Sequence, residues 1–412
     1  MGFFAVIIAI GLIMYCVRRK LNMGLSMMLG ALALALLAPV PLDLAWEALI
    51  TALGDANTWT LTLVVVLIGV LGHLLTASGT LDLLVDKVLA LSAGDSRWAL
   101  TVIPMVMGAL SVPGGAMMSA PLVDRLGDRG ELAPEFKTGI NIVFRHLWYV
   151  ALPVIPSIIL AAALADVTPA TLAAQNLWAG LAGMVAAWWF LLRKIKGSEQ
   201  PFQFHRADLA LVLVSLLPLL VVLALFLIVE LWFPLALVAG IICALLVLPG
   251  GQGPLAFRML AALRKRSLTM LAPGVRPGML LVVPGVMIFK EMLHTSSLVN
   301  TFAADLVESG IPLWLLLLVL PFALGIATGS HEATVAIALP IFVPLLPAEH
   351  YLPALGLLFG SLTIGYIISP LHLCLILTRE YFCSRLGGVY RYTGPVGISM
   401  LVVILVTALL RW

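Results

Sequence analysis

Long apolar runs constrain this chain more than any other feature of its sequence. Between Leu209 and Val229 only Ser215 and Pro218 interrupt the apolar character, and a helix needs about 20 such residues to cross a bilayer. Only 10% of the residues are charged, against about 25% in soluble domains, so much of the surface must face lipid. Membrane β-strands alternate polar and apolar residues, whereas these runs are continuous. The sequence therefore predicts an all-α integral membrane protein.

Hydropathy predicts ten transmembrane helices and two interrupted apolar segments. The predicted helices cover residues 2–17, 22–40, 59–78, 136–165, 177–193, 207–229, 233–249, 277–293, 352–378 and 394–411. The interrupted segments, 98–123 and 313–346, have polar, glycine-rich centres and are predicted to be re-entrant hairpins. All but three of the 23 Lys and Arg residues then fall on one side, the exceptions being Arg145, Lys290 and Arg411. Because positive residues favour the cytoplasm, we expect a multi-pass protein of the inner (plasma) membrane with both termini on the outer side.

The two halves of the sequence resemble each other. Tyr149 and Pro153 match Tyr366 and Pro370, each pair being 217 positions apart. The segment that begins at Gly108 matches the segment 217 positions later, in the second interrupted region. Each half holds five predicted spans, an odd number, so the second half inserts upside down. The prediction is two inverted-topology repeats, 1–198 with an inward-opening hairpin and 199–412 with an outward-opening hairpin.

Polar, glycine-rich turns mark the tips of both predicted hairpins. The first tip runs from Ser111 to Gly115 and the second from Thr328 to Thr334. Glycine and proline end helices, and the helix that leaves each tip offers free N–H groups to an anion. Small residues also let helices pack closely in lipid, which would explain an isolated Gly-Gly pair. The matching positions of two polar tips favour a binding site.

Helix breakers also occur at matching positions in two predicted spans. Pro153 and Pro156 interrupt the fourth span, and Gly365 with Ser369 and Pro370 interrupts the ninth. Proline removes a backbone hydrogen bond, and the carbonyl that it frees needs another partner, such as an ion or a hydroxyl. The alternative is a plain kink, which is common in membrane helices.

Four ionisable residues in the predicted membrane region differ from their counterparts in the other half. Arg145 and His146 lie in the fourth span, and His331 and Glu332 lie at the second hairpin tip. Such residues are costly in a membrane and usually functional. Arg145, like its neighbour His146, is a candidate for substrate contact, although Arg145 could instead snorkel to the inner interface or pair with Glu332. His331 and Glu332 form a candidate protonatable pair for ion coupling.

Several classes of protein are disfavoured by what the sequence lacks. It contains no Walker-type phosphate loop and no HExxH helix, so ATP-driven transport and metalloprotease chemistry are not predicted. The cysteines have no metal-ligand spacing and are predicted to be packing residues: Cys16, Cys243, Cys374 and Cys383. We expect no enzymatic activity, no cofactor, no resident metal and no nucleic-acid partner.

The segments GALSVPGGAMMSAP (108–121) and GIATGSHEATVAIALP (325–340), with the ten-span layout, resemble the ion transporter superfamily. More narrowly they look like a ten-span membrane family related to the gluconate permeases. The resemblance implies substrate bound between two hairpin tips and two unwound helix segments, H⁺ or Na⁺ coupling, a homodimer and an elevator motion. It implies substrate contacts at Ser111, Gly114, Gly115, Thr328, Ser330 and Thr334, and at Pro153, Ser369 and Pro370 in the broken spans. The Ser-Asn-Thr signature of the dicarboxylate carriers is absent.

Together these observations predict a secondary active transporter of a small organic anion, with a carboxylate favoured and protons as the driving ion. Its expected partners are that anion and the lipid bilayer. The alternative is a cation/proton antiporter in which Glu332 is the exchanging acid. A membrane-embedded enzyme or a passive channel is a third alternative, although Ser330 and His331 are only neighbours in sequence.

Overall fold

The structure is a computed structural model that describes residues 2–19, 21–38, 40–91, 96–109, 115–129, 132–195, 206–247, 275, 277–296 and 310–412. Within these ranges the chain forms nineteen α-helices joined by short turns and contains no strand. The helices before residue 198 are α1 (Gly2–Arg18), α2 (Met23–Leu37), α3 (Leu42–Gly54), α4 (Ala56–Ala77), α5 (Thr80–Leu91), α6 (Ser96–Ala109), α7 (Gly115–Arg129), α8 (Pro134–His146), α9 (Pro156–Leu164), α10 (Pro169–Gln175) and α11 (Leu177–Phe190). Those after it are α12 (Arg206–Leu227), α13 (Phe233–Val247), α14 (Pro277–Thr295), α15 (Leu313–Thr328), α16 (His331–Phe342), α17 (Tyr351–Ile368), α18 (Leu373–Phe382) and α19 (Leu386–Leu409).

Local sequence sets many of the helix ends. The Asp55 side chain accepts a hydrogen bond from the Asn57 backbone N–H at 2.9 Å and so caps α4. Ser330 does the same for α16 by accepting from the N–H of Ala333 at 3.3 Å. Helices α8, α9 and α10 each begin at a proline, whose missing N–H would have no intrahelical partner there.

Five segments are long and apolar enough to cross a membrane. They are α4, α12, most of α14 (Gly278–Thr295), the broken pair α17–α18 within Ala348–Phe382, and α19. Helices α9 and α10 are bent by 102° relative to each other and make a sixth if the pair is one span. Shorter apolar helices include α1, α2, α11, α13, α15 and α16. The predicted all-helical, membrane-type fold is confirmed at this level.

Both of the predicted interrupted spans contain non-helical residues. In the first, α8 ends at His146, a 3-10 turn covers Leu147–Val150, and α9 begins only at Pro156. In the second, residues 369–372 separate α17 from α18. Gly365, by contrast, does not break its helix, so that prediction was wrong. It lies inside α17, where an added Cβ would be 2.1 Å from the Phe322 carbonyl oxygen of α15. The glycine permits this close approach rather than ending the helix.

The two interrupted apolar segments each form a pair of packed helices. Helices α6 and α7 contact each other, and residues 110–114 between them, including Ser111 and Gly114, lie outside the described residues. Helices α15 and α16 also contact each other, and the chain turns between them at Gly329 and Ser330. Gly329 has φ +62°, a left-handed conformation that strains residues with a side chain.

The described helices pack as two groups. The first helix group is α1–α5 with α12–α14, in which α2, α3 and α4 pack on α14, and α12 packs on α5 and α13. The second helix group is α6–α11 with α15–α19, in which α17 packs on α15 and α19, and α8 packs on α6, α18 and α19. Contacts between the groups are sparser and join α1 to α15, α4 to α9, α14 to α16, and the chain neighbours α5 and α6. Each group therefore takes helices from both halves of the chain.

Candidate functional site

The second helix break and the α15–α16 turn lie against each other within the second helix group. The Ser369 hydroxyl donates to the Ile326 carbonyl oxygen at 2.6 Å, which gives a partner to a carbonyl in the last turn of α15. A Cβ added to Gly329 would lie 2.6 Å from the Leu371 carbonyl carbon. Helix α16 then packs on α9, which follows the first break. The two breaks and this turn therefore meet in one region.

Three hydroxyl residues organise the α15–α16 turn. The Thr328 and Thr334 hydroxyl oxygens are 2.6 Å apart, and Thr334 also lies 2.7 Å from the Ser330 carbonyl oxygen. Thr334 is fully buried, Thr328 nearly so, and Ser330 is half-buried. These hydroxyls bond chiefly to one another and to the turn backbone, so they hold the turn in shape.

His331 is buried between hydroxyls from both halves of the chain. Its Nε2 lies 2.9 Å from the Thr363 hydroxyl, and its Nδ1 lies 2.6 Å from the Ser157 hydroxyl. The Thr363 hydroxyl donates its one hydrogen to the Phe359 carbonyl at 2.7 Å, so it accepts from Nε2–H of His331. In the neutral ring, Nδ1 then accepts from Ser157. Both ring nitrogens are satisfied, and the ring orientation is fixed.

Two tyrosines lie beside this imidazole. The Tyr366 ring is almost parallel to His331, at 5° and 5.0 Å between centroids, and the Tyr149 ring is at 22° and 5.7 Å. The tyrosine rings are themselves 6.4 Å apart and 17° from parallel. Tyr149 follows α8 and Tyr366 lies near the end of α17, so the three rings join the two halves of the chain.

Two further buried histidines are held in one tautomer by backbone carbonyls. His372 Nδ1 lies 3.3 Å from the Ile367 carbonyl, which can only accept, so Nε2 is left to accept from the Tyr366 hydroxyl at 2.9 Å. His146 Nδ1 likewise lies 2.9 Å from the Ile142 carbonyl. The Nε2 atom of His146 is buried and has no hydrogen-bond partner among the described residues. The two imidazole rings meet edge to face with centroids 4.5 Å apart.

These two histidines are also close to a cysteine. His146, His372 and Cys374 each offer one ligand atom, and these atoms lie within 4.8 Å of one another. Cys374 is partly exposed and is not in a disulfide, whereas both histidines are almost fully buried. Two imidazole nitrogens and one sulfur are a ligand set that transition metals accept.

Arg145 and Glu332, the two charged residues of the predicted site, differ in exposure. The Arg145 side chain is only 4% exposed, so it does not extend to the surface as a snorkelling arginine would. Arg145 directly precedes His146, whose ring packs edge to face on those of His372 and Tyr366. Glu332 is exposed although it lies in the first turn of α16. Since both nitrogens of His331 bond to hydroxyls, Glu332 is not a hydrogen-bond partner of that imidazole.

The remaining predicted site residues are placed as follows. Gly115 is the first residue of α7, next to the undescribed residues 110–114. Pro153 is buried within the first break, and Pro370 is exposed within the second. Ser369 is fully buried. The described members of the set, other than Gly115, thus lie at the two helix breaks and at the α15–α16 turn. Gly115 directly follows residues 110–114, which lie outside the described ranges.

Several residues of this centre were not predicted from the sequence. Ser157, Thr363 and Cys374 were not recognised as parts of a site, because a single hydroxyl or thiol in an apolar helix usually bonds its own backbone or fills space. The predicted repeat supplies a signal that would have found them. Ser157 and Cys374 are 217 positions apart, and so are His146 and Thr363. Equivalent positions near the breaks therefore carry polar atoms in both halves.

The fold and this centre together define a helical protein with several helices able to span a membrane and a buried polar centre where two helices are interrupted. The chain belongs to the family described as "Protein of unknown function (DUF401)", which matches residues 2–410. No curated protein matches the chain.

Proposed function

We propose that this protein is a proton-coupled secondary active transporter of a small organic anion, in particular a carboxylate. One observation carries the proposal: polar side chains from both halves of the chain converge, buried, where two interrupted helices and a helix–turn–helix tip meet. Such a polar centre is costly in an apolar protein and needs a reason. In secondary transporters, substrate and ion sites form at paired broken helices near the repeat interface.

The packing supports two inverted repeats. An added Cβ at Gly108 would lie 1.9 Å from the Arg145 carbonyl oxygen, and one at Gly325 would lie 2.4 Å from that of Leu362. Both members of each pair are 217 positions from their counterparts. Helix pairs repeat as well: α2 packs on α14 as α13 packs on α4, and α9 packs on α16 as α18 packs on α7. On this basis we propose ten spans and two re-entrant hairpins in two inverted repeats. We also propose that both termini lie on the outer side of the inner membrane and that the chain is related to the ion transporter superfamily.

The two helix groups support an elevator-type cycle. Within each group, glycines let two helix backbones approach closely. In the second group Gly325 of α15 lies against the Leu362 carbonyl of α17, and in the first Gly24 of α2 lies against the Leu281 carbonyl of α14. Between the groups lies a small apolar cavity of about 20 Å³, lined in part by Leu71 of α4, Ala109 of α6 and Val222 of α12. Sparse contacts and an apolar boundary allow rigid sliding of one group past the other. The homodimer that the superfamily resemblance implies would hold the first group still.

An anionic substrate is supported by the charges around the centre. Arg145 is buried beside it, and a guanidinium can grip a carboxylate with two parallel hydrogen bonds. The N-terminus of α16, at Ser330, adds the positive end of a helix dipole. Thr328, Ser330, Thr334 and Ser369 lie at the same tip, and Ser111, Gly114 and Gly115 belong to the opposite tip in this proposal.

Proton coupling is assigned to Glu332, with His331 as the fixed polar neighbour that shapes the tip. A carboxylate at this position faces either water or hydrocarbon, and only water can solvate it. We therefore propose that an aqueous path reaches Glu332 and delivers the proton. If the coupling ion is Na⁺ instead, Glu332 would bind that ion as a carboxylate ligand.

The test uses purified protein in proteoliposomes loaded with a panel of labelled carboxylates. Wild-type protein should show counterflow of at least one carboxylate and uptake driven by an inwardly directed proton gradient. Glu332→Gln should keep counterflow but lose gradient-driven uptake, whereas Glu349→Gln, at an exposed loop carboxylate, should keep both. Absence of counterflow for every anion would refute the organic-anion function, and gradient-driven uptake at the wild-type rate in Glu332→Gln would refute its role.

A cation/proton antiporter is the second candidate because Glu332 is exposed and no organic substrate is needed for it to exchange a proton for Na⁺. Proton release that depends on Na⁺, occurs without any carboxylate and is abolished in Glu332→Gln would establish this alternative. Carboxylate counterflow would exclude it.

A further inference from the structure

We propose that His146, His372 and Cys374 form a binding site for a thiophilic transition-metal ion. Their three ligand atoms lie within 4.8 Å of one another, close enough to converge on one ion after small side-chain rotations. The ligands come from the end of α8 and the start of α18, so the ion would join the two halves of the chain. This inference does not depend on transport.

The orientation of the histidines is the first supporting observation. In metal sites a ligating imidazole usually donates its other N–H to a carbonyl or carboxylate, which fixes the free nitrogen towards the ion. Both rings are held in this way: Nδ1 of His146 by the Ile142 carbonyl at 2.9 Å, and Nδ1 of His372 by the Ile367 carbonyl at 3.3 Å. Nε2 of His372 accepts from the Tyr366 hydroxyl at 2.9 Å, so a bound ion would replace that hydroxyl as its partner. The remaining nitrogen of His146 is buried and unpartnered among the described residues, although leaving such an atom unpaired is costly.

The comparison between matching positions in the two halves of the chain is the second supporting observation. His331 bonds to Ser157 and Thr363, and the residues 217 positions from these two are Cys374 and His146. The counterpart of His331 itself is a glycine, which has no side chain to bond them. This matching set, which draws on both halves of the chain, thus has a glycine in place of the imidazole, and a thiol and an imidazole in place of the two hydroxyls. An ion coordinated by Cys374 and His146 would take the place that His331 occupies between Ser157 and Thr363.

The donor set selects the class of ion. Imidazole and thiolate are ligands of Zn²⁺ and Cu⁺, whereas Mg²⁺ and Ca²⁺ need oxygen ligands that this cluster lacks among its described atoms. Binding takes the proton from the Cys374 thiol and releases it to solvent, because the thiolate is the ligand. Arg145 is buried and precedes His146 in the chain, so its positive charge opposes a nearby cation and the negative thiolate offsets that repulsion.

The test is metal binding by the purified full-length protein in detergent. After chelation and desalting, titration with Zn²⁺ and with Cu⁺ should show one equivalent of at least one ion per chain. Co²⁺, used as a spectroscopic substitute for Zn²⁺, should give a thiolate-to-cobalt charge-transfer band. Cys374→Ser should remove that band and weaken binding by at least about tenfold. Cys383→Ser, which changes the exposed cysteine just after α18, should leave the band and the affinity unchanged.

A second measurement removes dependence on the folding of the variant. In the wild-type protein, bound Zn²⁺ or Cu⁺ should slow alkylation of Cys374 and leave Cys383 equally reactive, as read by peptide mass spectrometry. Equal alkylation of Cys374 with and without each ion, or equal stoichiometric binding by Cys374→Ser, would overturn the proposal. Carboxylate counterflow bears only on the transport function, so the two proposals fail independently.

Discussion

Replacing Gly325 with alanine tests the close packing of α15 on α17. A Cβ at this position would lie 2.4 Å from the Leu362 carbonyl oxygen, 2.6 Å from the Tyr366 nitrogen and 2.9 Å from the Gly365 carbonyl carbon. All three are main-chain atoms, so no side-chain rotation relieves the overlap. Restoring ordinary contact needs a separation of about 1 Å between the two helices.

The expected magnitude follows from two opposing effects. Overpacking of this kind costs about 1–3 kcal/mol, and more when backbones must move. Alanine favours the helix over glycine by about 1 kcal/mol, which offsets part of that cost. Because all the overlapping atoms belong to the main chain, we expect an overpacking cost of about 2–3 kcal/mol, so Gly325→Ala should destabilise the protein by about 1–2 kcal/mol. Gly394→Ala in α19 should be neutral or slightly stabilising, because a Cβ there meets nothing within 4 Å.

The assay is thermal unfolding of both variants in detergent, followed by intrinsic fluorescence and by the fraction that remains monodisperse. Gly325→Ala should melt clearly below the wild type, and Gly394→Ala at or slightly above it. If Gly325→Ala melts at the same temperature as Gly394→Ala, α15 and α17 are not in backbone contact. The support that the Gly108 and Gly325 contacts give to the inverted repeats would then be lost.

Three further predictions concern the polar centre and the topology. Ser157→Ala removes the partner of a buried imidazole nitrogen and should cost about 1–3 kcal/mol of stability; Ser399→Ala, which removes only a bond to its own helix backbone, should melt like the wild type. Arg145→Lys keeps the charge but loses the planar fork, so it should weaken carboxylate binding about tenfold in a thermal-shift titration, and unchanged binding would exclude Arg145 from the substrate site. A cysteine at Ala348 should react with an impermeant thiol reagent on intact cells lacking the native cysteines, while one at Gly251 should not, and labelling of the latter would reverse the orientation.

The sequence predicted the helical membrane-type class because long apolar runs leave few alternatives. It also matched Tyr149 to Tyr366 within the predicted repeat. The structure places both rings beside His331 and nearly parallel to each other, and the repeat itself stays a prediction. The partners of His331 were not predictable in the same way. Ser157 and Thr363 are 174 and 32 positions from it, and no local pattern encodes such contacts. His331 and Glu332 were paired because they are adjacent, but consecutive helix residues point about 100° apart.

Gly365 illustrates a second limit on predicting structure from a single sequence. Glycine near Ser369 and Pro370 favours a helix break, whereas the residue lies within α17 against the Phe322 carbonyl. A glycine that ends a helix and one that admits a neighbouring backbone are identical in a single sequence. Only the three-dimensional path of α15 distinguishes them.

The hydrogen bond from Arg18 to the Ala327 carbonyl oxygen, 3.0 Å long, joins α1 of the first helix group to the end of α15 in the second. In the proposed elevator cycle, sliding of the groups would break this bond and leave a helix-terminal carbonyl without its donor. That loss would contribute an enthalpic barrier to each turnover, and the temperature coefficient of the cycle would rise with it. Although Arg18 lies in α1, it bonds the carbonyl of the residue before Thr328, so under the proposed cycle its replacement should change how fast the groups separate.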